Sequence, residues 1–119
     1  MISEFYKNRD KHYVAVDCII MGFQENELNI MIAKRPFEPM KGGWSLMGGF
    51  VNEFESVNEA AKRVVGEFTG IDDIYMEQVG AYGEVERDLE RVISIAYYAL
   101  VDFEKFDTSI ASKYDARWV

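Results

Sequence analysis

From His12 to Phe23 the chain reads HYVAVDCIIMGF, an apolar run rich in β-branched residues and broken by Asp17. Such a run predicts a buried strand. The polar residues QENE (24–27) predict a turn. LNIMIAK (28–34) predicts a returning strand with Leu28, Ile30 and Ile32 on one face. RPFEPMKGG (35–43) follows as a loop punctuated by Pro36, Pro39, Gly42 and Gly43. WSLMGGFV (44–51) predicts a short strand. Further on, YMEQVGAYGEV (75–85) and RVISIAYYALVDF (91–103) predict two strands paired around ERDLE (86–90), and ARWV (116–119) predicts one more.

Between these strands the apolar period changes from two to 3.6. Ser56 and Glu59 form an S-x-x-E capping box, and Gly70 supplies the stop. Val57, Ala60, Ala61, Val64, Val65 and Phe68 fall at helical spacing over an arc of roughly 140°, wide enough to lie on a sheet. Arg63 and Gly66 fall outside that arc and Glu67 borders it. The pattern predicts a mixed β-sheet with a central helix, an α+β or layered α/β domain. With no internal repeat or linker, residues 13–119 read as one domain behind an N-terminal extension, 1–12.

Composition narrows the function classes. Of 119 residues, 49% are hydrophobic, which fits a globular core. No stretch is apolar for long enough to span a membrane, and the N-terminus is too polar for a signal peptide. Cys18, the single cysteine, excludes an internal disulfide and fits a reducing cytoplasm. Its apolar surroundings predict an inert core thiol. A net charge of −8 repels phosphate backbones, so these residues alone are a poor DNA-contacting surface. A small ligand or a protein partner suits them better.

The helix and the loop before it carry the chemistry. From Gly49 to Ile71 the chain resembles the Nudix box, G-x5-E-x7-R-E-U-x-E-E-x-G-U, with U an aliphatic residue. Gly49, Glu55, Arg63, Val65, Glu67, Gly70 and Ile71 match. Val64 and Phe68 stand where the first and last glutamates of the R-E-U-x-E-E core belong. The resemblance implies the Nudix fold, and in it a loop glutamate, here Glu55, that pairs with the box arginine, here Arg63. Nudix enzymes hydrolyse a pyrophosphate linked to another moiety and need divalent cations. Carboxylates at i, i+3 and i+4 share one helix face and can hold such ions. Here that triplet reads Val64, Glu67, Phe68, and two of its members cannot ligate. The expectation is therefore no catalytic residue and no cofactor, with Mg²⁺ required only if hydrolysis is retained and Glu67 as a weak metal candidate.

The flanks RPFEPMKGGWSLMGGFV and RVISIAYYAL look like those of the Nudix-related transcriptional regulators. In these an N-terminal Nudix-like domain senses a metabolite and a winged helix-turn-helix binds DNA. One branch senses ADP-ribose; another, typical of Bacteroidetes, senses L-arabinose. Met47 and the broken acidic core look more like the arabinose branch. The resemblance implies a homodimeric effector-sensing domain, responsive to a pentose or an ADP-ribose-like nucleotide. DNA would be contacted only through a domain that, like the last Nudix helix, is expected downstream of Val119. The alternative is a Nudix hydrolase acting on ADP-ribose or another nucleoside-diphosphate derivative.

The same resemblance places the ligand against the loop and the box helix. Trp44 is the leading stacking candidate, or else a core or interface tryptophan. Lys34 and Arg35 would meet phosphate or hydroxyl groups, or remain rim charges. Asp17 is a hydrogen-bond acceptor for the ligand, an outward-facing residue or one half of an ion pair. Glu67 accepts from hydroxyls or sits as a surface charge near Arg63. Arg87 and Arg91 contact effector or pin their loop. Tyr97 and Tyr98, being adjacent in a strand, must face opposite ways.

Overall fold

The computed structural model describes residues 4–34, 42–72, 74–85, 91–102, 104 and 116–119. A short exposed helix α1 (Glu4–Lys7), not foreseen in the extension, precedes strands β1 (Tyr13–Gln24) and β2 (Glu27–Lys34). Next come β3 (Trp44–Ser45), β4 (Met47–Phe50) and the long helix α2 (Val57–Thr69). Strands β5 (Tyr75–Tyr82), β6 (Val92–Val101) and β7 (Ala116–Trp118) complete the described elements. They form a mixed sheet in the order β3-β2-β1-β6-β5, with β4 also on β1 and β7 also on β2.

β1 and β2 join through a two-residue turn in which Glu25 and Asn26 both have positive φ (51° and 62°). That backbone twist matches the twist of the flanking strands, and Asn tolerates it well. β1 also runs parallel to β6 from Tyr13↔Val92 to Gly22↔Val101. Parallel strands lie inside sheets, which explains why both read as nearly continuous apolar runs. On the face toward α2, Val16, Cys18 and Ile20 of β1 meet Tyr97, Ala99 and Val101 of β6. Ala60, Ala61, Val64 and Val65 of α2 close that core. Thr69 is buried as well: its hydroxyl donates to the Val65 carbonyl (2.8 Å) and accepts from the Ile71 amide (3.2 Å), so the helix end is satisfied without water.

One expected element needs correction. WSLMGGFV is two strands. Lys34↔Trp44 and Ala33↔Ser45 pair with β2, whereas Cys18↔Met47 through Ala15↔Phe50 pair with β1. The chain changes partner at Leu46 and enters the gap where β1 and β2 diverge. The adjacent tyrosines do face opposite ways. Tyr97 points to α2 and donates to Asn58, and Tyr98 points to the other face and donates to Glu77.

Candidate functional site

Two consecutive glycines set the geometry around the box. Successive residues of a strand point to opposite faces. A Cβ on Gly48 would lie 2.7 Å from Asp17 Oδ1 and 2.9 Å from the Val16 carbonyl oxygen. One on Gly49 would lie 3.0 Å from Val64 Cγ2. The first contact is on the side away from α2 and the second is on the helix side. Asp17 is thus half-buried against β4 on one face of the sheet, with Glu67 carried by the helix on the other.

Arg63 ties the box loop to the helix. Its Nε donates to Glu55 Oε2 (3.2 Å) and one terminal nitrogen donates to Glu55 Oε1 (2.8 Å), a bidentate pair. That nitrogen also donates to the Phe50 carbonyl (2.8 Å), while the other donates to Glu67 Oε1 (3.4 Å). Glu55 in turn accepts from the Asn52 amide (2.9 Å). The Arg63 hydrogen bonds, and then that amide, hold the Glu55 carboxyl below its ordinary value of 4.5. The bonds to Glu55, partly opposed by desolvation, raise the already high pKa of Arg63. The loop-glutamate pairing implied by the resemblance is present.

The box triplet is not a row of ligands. Val64 is 1% exposed in the core, Phe68 packs half-buried against it, and Glu67 is exposed beside Arg63. Among the described residues no group of three or more His, Cys, Asp or Glu side chains could hold a metal ion. Of that triplet only Glu67 carries a carboxylate, and it shares Arg63 with Glu55.

The other candidates occupy separate places. Lys34 and Trp44 meet, with Nζ 5.3 Å from the indole centroid, and Trp44 is 43% exposed. Arg117 also lies over that ring, with Cζ at 5.0 Å. The sequence reading missed it, because only the register of β7 beside β2 brings Arg117 near Trp44. Arg91 donates to the Gly83 carbonyl, joining the residue before β6 to the one after β5. Arg35 and Arg87 lie outside the described residues. Cys18 is fully buried, and burial first, with Asp17 second, pushes its thiol up to about 12. That fits the inert core thiol expected.

The NUDIX domain family matches residues 11–119. Over 109 residues the chain is 32% identical to an ADPR responsive transcriptional repressor, NtrR, of Acinetobacter baylyi, covering 89% of this chain and 44% of that protein. Over 85 residues it is 40% identical to an ADP-ribose pyrophosphatase of Methanocaldococcus jannaschii, covering 71% and 48% respectively. The chain spans a little under half the length of each. The NUDIX domain of Shewanella oneidensis NrtR, solved in complex with ADP ribose, superposes with a TM-score of 0.77 at 27% identity, covering 98% of this chain and 82% of that one.

Proposed function

The chain belongs to the NUDIX domain family, and from that premise we propose that it is an effector-sensing domain of a transcriptional regulator that binds its ligand without hydrolysing it. The carrying observation is the box triplet. Val64 is locked into the core against Gly49, Phe68 packs beside it, and Glu67 is left as the lone carboxylate. Lewis-acid stabilisation at such a site would be short of ligands, and its loss is worth several kcal/mol of barrier.

The effector we favour is ADP-ribose. The Acinetobacter relative is named for its response to it, and the Shewanella domain was solved with it bound. L-arabinose is the effector that Met47 and the degenerate box suggested, and it serves as the competing ligand in the test. Lys34 and Trp44 are the proposed contacts. Regulation would follow if ligand bound one arrangement of a homodimer better than another and thereby shifted DNA affinity in an attached winged helix. The exposed aromatic side chains of Tyr75 and Tyr82 on the edge strand β5 suit such a dimer contact. The Methanocaldococcus relative favours a second reading, hydrolysis of ADP-ribose.

Thermal shift and calorimetry with ADP-ribose, AMP and L-arabinose test the effector. We expect saturable binding of ADP-ribose and a raised melting temperature. A shift with L-arabinose alone would replace the effector, and no shift with any of the three would remove the sensor reading.

A further inference from the structure

The end strand brings a second cation to Trp44. Lys34 of β2 stands directly opposite Trp44 of β3, and Arg117 of β7 stands opposite Ile32 on the other edge of β2. Strands two apart in a sheet are separated by about 9–10 Å, so the indole and the guanidinium meet above β2. Lys34 and Arg117 are both exposed, and each lies over the ring of a half-exposed tryptophan. Two positive groups thus converge on one ring in a chain whose net charge is −8. Among the described residues, no carboxylate lies within ion-pair distance of Arg117. The negative face of the indole offsets part of the repulsion between the cations. An anion held between them would offset more, and a guanidinium fork matches phosphate oxygens in pairs.

We propose that Lys34, Trp44 and Arg117 form a clamp for a diphosphate-bearing ligand, with the two cations on the diphosphate and the indole face under the sugar or base beside it. The clamp rests on the effector reading only for the identity of that sugar or base. A neutral pentose offers the paired charges only hydroxyl acceptors, so the clamp also favours a nucleotide over L-arabinose.

Calorimetric titration of the whole chain with inorganic pyrophosphate and with ADP-ribose tests this, using Arg117→Gln and Lys34→Gln beside the unmodified protein. Circular dichroism checks that the variants fold, as expected for exposed side chains. Pyrophosphate should bind, and should bind roughly ten-fold more weakly when Arg117 is neutralised. Lys34→Gln should weaken it in the same direction, and ADP-ribose should follow both. No pyrophosphate binding, or equal binding by wild type and Arg117→Gln, overturns the clamp. ADP-ribose affinity unchanged in both variants also overturns it, while leaving the effector reading in place. Pyrophosphate binding that needs Arg117, with ADP-ribose bound no more tightly, supports the clamp and removes the effector reading.

Discussion

Arg63 shows how a residue with a role in a motif can also hold a fold together. Its guanidinium joins Glu55, the Phe50 carbonyl and Glu67, so a loop, a strand end and a helix are fixed by one side chain. The pairing gives a pH dependence whose sign follows from the lowered pKa of Glu55. A carboxyl depressed by folding adds stability that is present above its unfolded value and is lost as pH falls through its folded value. Wild type should therefore be more stable than Glu55→Gln at neutral pH, and the gap should close as the pH falls below about 4.5. Urea melts of both proteins at several pH values measure it; a gap that stays constant into acid would show that the ion pair adds nothing. Val64 fills space that Gly49 leaves open, so a glutamate there would either lie buried or force the helix outward.

Helix α2 was the most legible element, because every device that ends it is local. The Ser56 hydroxyl accepts from the Glu59 amide (3.0 Å), the Glu59 carboxylate accepts from the Ser56 amide (3.0 Å), and Gly70 closes the helix with φ of 74°. Ser56→Ala should cost about 1 kcal/mol, measured by chemical denaturation; no loss would mean that the cap is solvated and dispensable. The long strands were legible from their apolar runs, and the Glu55–Arg63 pair from what the resemblance to the Nudix box implies. What was hidden depends on partners distant in sequence. The parallel pairing of β1 with β6 shows locally only as two apolar runs, and nothing in either names the other as its partner. The break at Leu46 is invisible in WSLMGGFV, since the residue type is compatible with a strand and only the change of neighbour interrupts it. Arg117 reads as a polar residue of a short end strand until the register of β7 brings it over Trp44. Asp17 looked like an interruption of a buried strand, and becomes intelligible once Gly48 is seen to leave room for it.

At the scale of the molecule, the charge balance and the box point the same way. A chain with net charge −8 repels phosphate overall, yet it concentrates two cations around one half-exposed indole. One helix carries the family's box with its arginine pair intact and two of its carboxylate positions turned to packing. The resemblance to both a repressor and a pyrophosphatase is what a shared scaffold with divergent sites would produce. The measurement that separates them follows ADP-ribose by phosphorus NMR in the presence of the chain with magnesium or manganese, at concentrations where calorimetry registers binding. Bound ADP-ribose should break down no faster than in buffer alone; AMP and ribose 5-phosphate accumulating with turnover would make the domain a hydrolase.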